Sequence, residues 1–432
     1  MLTDARGLEV GSGSATALEA IDRFAVDFLA ARDRAADIAL VAEREPDCAL
    51  AQLYTAVLHV YSTATDEIER QALPCLARAR QASGNARERA LTVAVAAWAR
   101  GDFAAAIATF EQLCGQWPRD AVAAKFAEFL FFQAPDFRRQ WRFTAHAAAH
   151  NDDLSAVHAM HAFGLEQVRE YAAAERVAER ALSLDADTPW AHHALLHCYL
   201  NQGLLEQGLA FSARAEPSWS DHTRPVAVHN VWHVALLHLA AGDVASALAC
   251  YRRQIWGGQP QAAYEHIDAI SLRWRIDLAG ETSPDDWRTM LPFIAPRAVE
   301  QVFPFLNAHY AYALVRAGAH DVAAAALAAL VAFADAQRGA AYDLWRGTGV
   351  PLVEGCMAFA AGEPTRAVVL MEPIMPRLFA VGGSDAQNDL FHQTYLAALL
   401  DAGQRAEAAR LLRRRIGDRR PMPCEDRWLS RV

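Results

Sequence analysis

Apolar residues recur at three- and four-residue spacing along almost the whole chain, and few stretches show the alternation or Val/Ile/Thr enrichment of strands. The pattern predicts amphipathic helices from near Ala15 onward, with Ser12 or Ser14 as the N-cap. Glu45-Pro46-Asp47 breaks it, and Cys48 to Tyr61 is the next predicted helix. Asn85 to Arg100 and Phe103 to Cys114 then form a pair, split by Gly101-Asp102 and closed by Trp117-Pro118.

A helix, a Gly-Asp or similar turn, an alanine-rich second helix and a proline is the layout of tetratricopeptide units. The turn recurs at Arg169 to Tyr171, Gln202-Gly203, Gly242-Asp243, Gly318, Gly362-Glu363 and Gly403, about 35 to 45 residues apart where the repeat can be followed. The predicted fold class is therefore all-α: a tetratricopeptide-like helical-hairpin repeat array, an α-solenoid or superhelix, as a single domain over residues 1–432. Irregular connections are expected near 217–228 and 257–304, where Pro225, Gly257-Gly258, Pro260, Pro284, Pro292, Pro296 and Pro304 interrupt the period. A terminal capping helix is expected at about 404–416.

Composition acts mainly by exclusion. Of 432 residues, 53% are apolar and 21% charged, ample for a sizeable core. A net charge of −10 leaves no basic footprint for nucleic acid, and Arg413 to Arg415 with Arg419 and Arg420 reads as a solvated capping face. Lys125, the one lysine among 41 basic residues, reads as coding bias. Seven cysteines, odd in number and never in Cys-x-x-Cys spacing, fit reduced thiols. The N-terminus lacks the layout of a signal peptide, and apolar runs such as Val322 to Phe333 fall short of the roughly 20 residues that span a bilayer. A soluble, cytoplasmic protein without nucleic-acid or membrane partners is expected; its oligomeric state is open.

Candidate chemistry gathers between His158 and His238. Trp190-Ala191-His192-His193-Ala194-Leu195-Leu196-His197 and His229-Asn230-Val231-Trp232-His233 each place two histidines four residues apart, on one helix face. His197 lies six residues before Gly203, and His233 and His309 lie nine before Gly242 and Gly318. These offsets fall on a common face of the first helices, which line the concave side of such arrays. His158, His161 and His192 read as incidental.

By this point the chain resembles the tetratricopeptide repeat protein 38 family. The likeness is carried by Gly7-Leu8, Glu45-Pro46-Asp47, Phe163-Gly164-Leu165-Glu166, Trp190 to His197 and the histidine–tryptophan motif. It continues through Asp268, Ser271-Leu272 and Arg275, Gly349 to Leu352, and Gly382-Gly383-Ser384 with Asp389 and Phe391. What the resemblance implies is an α-helical repeat fold; it brings no activity with it.

Three readings of the histidines compete. They are packing residues, or they line a pocket for a small anionic or polar ligand or a peptide end, or they do chemistry. The pocket would use His193, His197, His229, His233 and His309 with Asn230, Trp232, Glu166, Asp268 and Arg275. For chemistry, His193 or His233 is the acid–base candidate. His193, His197, His229 and His233 are also candidate ligands for a transition metal, with Glu166 or Asp268 as a further donor. The glutamate of a His-Glu-x-x-His zinc motif is missing, since Ala194 and Asn230 stand in its place. Ligand binding is the preferred reading, an enzyme the alternative, and an interaction scaffold the second alternative. Asp268, Ser271 and Arg275 share a face, so an Asp268–Arg275 pair bracing the histidines is expected. Gly382-Gly383-Ser384 is expected to turn and cap the helix from Asp385 to Leu400.

Overall fold

The computed structural model describes residues 2–82, 84–257, 260, 262–417 and 419–432. Gly258, counted above in an irregular connection, lies outside them. The fold is all-α, a series of tetratricopeptide-like helical hairpins; the only described strands, Leu2–Thr3 and Glu9–Val10, pair antiparallel. The chain divides into two compact units, residues 1–195 with 215–227, and residues 196–214 with 228–432. No helix among the described residues is long and apolar enough to cross a membrane. All seven cysteines are free thiols.

In the first unit the hairpins Ala86–Ala99/Phe103–Gln116, Ala121–Gln133/Phe137–His150 and Ser155–Gln167/Tyr171–Leu184 follow one rule. The first helix is buried on most sides, as Ala121–Gln133 is with Val122, Phe126, Leu130 and Phe131. The second buries only a stripe, as Tyr171–Leu184 does with Ala174, Ala178 and Ala181. Ser14 is the N-cap of Ala15–Leu29, accepting from the Ala17 amide at 3.2 Å. The N-terminal ribbon crosses the starts of the first helices: Arg87 donates to the Glu9 carbonyl (3.0 Å) and Asp120 (2.8 Å), and Arg6 donates to Asn151 (2.8 Å). At the hairpin turns the chain leaves the first helix with positive φ, as at Gly101 (+75°). Arg169 holds the same conformation at +66°, which costs a side chain about 1 kcal/mol and explains why glycine fills the other turns.

The second unit continues with Ala263–Leu278/Pro284–Ile294, Pro304–Arg316/His320–Ala336, Val350–Ala360/Pro364–Met371 and Asp385–Asp401/Arg405–Ile416. Much of 257–304 is thus helical, with a turn at Gly280 (φ +100°) that the sequence pattern did not suggest. The reason is burial. Ala263–Leu278 is enclosed on nearly every side, so no polar face gives it a helical period. Its charges are paired inside: Arg273 with Asp277 (2.8 Å) and Asp286 (3.1 Å).

The helix expected at 404–416 is present as Arg405–Ile416, and Pro423–Leu429 follows it. This last segment runs across three hairpin turns. Met422 lies over Gly203, Pro423 lies against Gly242, and Arg427 donates to the Ala279 carbonyl. The arginine run is accordingly not wholly a solvated face. Arg415 bonds Asp389 and, at 3.1 Å, Glu425, while Arg419 holds Glu425 at 2.6 Å; Arg413, Arg414 and Arg420 are exposed.

Candidate functional site

Two kinds of histidine share the first helices, and their hydrogen bonds separate them. The fourth residue of a first helix repeatedly locks the loop before it. His158 donates from Nε2 to the Asp152 carbonyl (3.0 Å), His192 to Ala186 (3.0 Å) and His266 to Pro260 (3.2 Å), each carbonyl six residues earlier. Asn388 does the same to Gly382 (2.9 Å), and Asn307 reaches Glu300 (2.9 Å). In each case a side chain one turn into the helix supplies the donor for a carbonyl of the preceding loop. His158 and His192 are therefore loop locks. The neighbouring repeats keep the position but not the residue type, which hid the rule in the sequence.

His229 and His233 belong to the other kind. Both lie on Arg224–Ala240, whose Trp232 and His233 are fully buried, whereas the His229 side chain keeps 22% of its exposure. His229 donates from Nδ1 to Asp268 on Ala263–Leu278, at 2.9 Å to Oδ2 and 3.1 Å to Oδ1. That bond fixes the proton on Nδ1 and turns Nε2 toward Nε2 of His233, 3.3 Å away. Two rings hold the pair in place. Trp232 stacks on His229 (centroids 5.3 Å, 11°) and stands edge-on to His233 (4.8 Å, 83°), and His197 packs on His233 at 4.3 Å.

Asp268 is fully enclosed. Burial pushes its pKa up, and the contact with His229 works against that rise. The expected Asp268–Arg275 pair is not made. The Arg275 guanidinium bonds the Ser271 hydroxyl and the Ala386 carbonyl (2.8 Å) and lies over the Trp232 ring at 5.3 Å. Burial brings the Arg275 pKa down to about 10, with Asp389 opposing the fall. The two side chains share a helix face, but Arg275 reaches the first turn of Asp385–Asp401, where the Ala386 carbonyl takes an N–H. The Gly382-Gly383 turn is as expected, with Ser384 as N-cap and Gln387 closing a capping box.

The second unit thus brings together His197, His229, Trp232, His233, Asp268 and Arg275, with Asn230 fully buried on the same helix. His309 stands apart in an aromatic box of Phe305 (4.4 Å), Phe391 (5.5 Å) and Trp274 (6.1 Å). It donates from Nδ1 to the Phe305 carbonyl at 2.8 Å. In the first unit, His193 packs on Phe163 at 5.0 Å, and the buried Glu166 accepts from Gln167 at 2.5 Å. Trp190 there is a platform for Lys125, whose ammonium lies 3.7 Å from the ring centroid and 2.8 Å from Glu128. A cavity of about 230 Å³ under the N-terminal ribbon, lined by Arg6, Tyr54, Asp120 and Ser155 among others, involves none of the candidate pocket, acid–base or metal residues named from the sequence.

No family model matches the chain. Among solved structures it is similar to a monomeric mutant of IFIT1 solved with Gppp-AAAA. The identity is 12% and the TM-score 0.41, over 88% of this chain and 89% of that one. It is also similar to the TPR domain of P58(IPK), at 12% identity and a TM-score of 0.24, over 80% of this chain and 97% of that domain. Likenesses at these scores say nothing of what this chain binds.

Proposed function

We propose that this chain is a tetratricopeptide-like repeat protein that binds a small polar ligand or a peptide end through His229 and His233. Asp268, Trp232 and His197 act as the supporting layer. The observation that carries the reading is the His229–Asp268 bond. A packing histidine is satisfied by a nearby carbonyl, as His158 and His192 are, whereas His229 is oriented by a buried carboxylate and keeps part of its surface in solvent. Kinship with the tetratricopeptide repeat protein 38 family, a single domain over 1–432 and a cytoplasmic location belong to the same proposal. For the single domain, the support is that the division of the chain falls inside the helix Pro189–Gln202.

The alternative is acid–base catalysis by His233 or His193; its support is that His233 Nε2 faces the Nε2 of an imidazole held by a buried carboxylate. A thermal-shift screen of polar metabolites and short peptides tests the binding reading. A ligand should raise the melting temperature of the wild type and leave His229→Ala unchanged. A ligand that shifts both equally would place the binding elsewhere.

A further inference from the structure

The charge balance of the site and the spacing of its nitrogens name a ligand class. Asp268 is a buried carboxylate whose charged partner is an imidazole, since Arg275 is engaged with Ser271 and a backbone carbonyl. A carboxylate oxygen 2.9 Å from one imidazole of the pair is an acceptor, which suits a cation better than an anion at the same place. The Nε2–Nε2 separation of 3.3 Å is long for a hydrogen bond. Two metal–nitrogen bonds of about 2.0–2.1 Å at a tetrahedral angle place their nitrogens about 3.3–3.4 Å apart.

We propose that the ligand taken by this site is a divalent transition-metal ion of the zinc class, bound by Nε2 of His229 and Nε2 of His233. Asp268 is the carboxylate behind the first ligand. The proposal rests on the binding reading above and sharpens it. Imidazole suits such ions, and two histidines four apart on a helix present both nitrogens to one point. The Nδ1–H bond from His229 to Asp268 is the outer contact that metal-bound imidazoles carry: it fixes the tautomer and makes Nε2 the more basic nitrogen. Coordination needs an unprotonated Nε2 on both rings, so a proton that His233 carries on Nε2 passes to its Nδ1 by exchange with water, with no net proton lost. Remaining coordination positions belong to water or to a donor atom of a small ligand, which reaches the site from the exposed side of His229.

The full-length protein, stripped with chelator and dialysed against Co²⁺ or Zn²⁺, gives the test by visible absorption and elemental analysis. One ion per chain is expected, with cobalt bands of a low-coordinate nitrogen site. His229→Gln, at a part-exposed position, should lose the ion while keeping the wild-type circular dichroism. Asp268→Asn should weaken binding about 10–100-fold. Metal retained undiminished by His229→Gln would overturn the proposal. Absence of bound metal together with a His229-dependent thermal shift from an organic ligand would overturn it too, yet leave the binding reading standing.

Discussion

Replacing His309 by Phe isolates one consequence of burying imidazoles in this fold. His309 is fully buried, and burial, seconded by the charge of Arg275, takes its pKa from 6.5 down to about 3. The folded chain refuses a proton that the unfolded chain accepts, so its contribution to stability is full above pH 6.5 and is lost as pH falls toward 3. At pH 5, about 1.5 units below the unfolded value, the loss is about 2 kcal/mol, at about 1.4 kcal/mol per unit. That figure barely depends on the folded value as long as it lies well below 5. Phe suits the box of Phe305, Phe391 and Trp274, and the Phe305 carbonyl keeps its helical N–H. His309→Phe should therefore match the wild type within about 1 kcal/mol at pH 7. At pH 5 it should gain about 2 kcal/mol on it, read from urea unfolding at the two pH values. An identical pH dependence for the two proteins would refute the burial argument. His266, depressed to about 4 mainly by burial, should leave a residual acid loss of similar size in the variant.

Other perturbations test the rest of the fold. Lys125→Met leaves Glu128 buried and unpaired and should cost about 3–5 kcal/mol in denaturant unfolding. Adding Glu128→Leu should recover most of that, and failure to recover would mean that the pair is not what holds the site. Asn388→Ala removes the donor to the Gly382 carbonyl and should cost about 1–3 kcal/mol by the same measurement; a neutral variant would speak against the loop lock. Gly164→Ala brings a methyl to 2.6 Å from Thr144 Oγ1 and 3.1 Å from the Trp141 Cα. It should lower stability by about 1–3 kcal/mol, and an unchanged melting temperature would show that the helices part freely.

The hairpin array was legible in the sequence because second helices such as Tyr171–Leu184 bury a narrow alanine stripe, and a turn glycine follows the first helix. The enclosed helix Ala263–Leu278 was not, since burial on all sides erases the period and only the folded chain brings Asp286 to Arg273 and Asp277. The pairs His193/His197 and His229/His233 could be read from spacing alone. His158 and His192 also read as distinct from them in the sequence, but the loop-locking role that those two share with His266 could not be read, because it depends on a carbonyl six residues back and is shared with Asn388. Arg415 and Arg419 were misread for a similar reason: Asp389 and Glu425 meet them only in the folded chain.

The central claim is that His229 and His233 form one binding site, and long-range ¹H–¹⁵N spectra of the imidazoles test it most directly. The metal-free protein should show His229 as the Nδ1–H tautomer. Zn²⁺ should move the Nε2 resonances of His229 and His233 together and leave those of the enclosed His266 and His309 in place. A His229 resonance that reports Nε2–H, or a pair that moves with neither Zn²⁺ nor any organic ligand, would contradict the account.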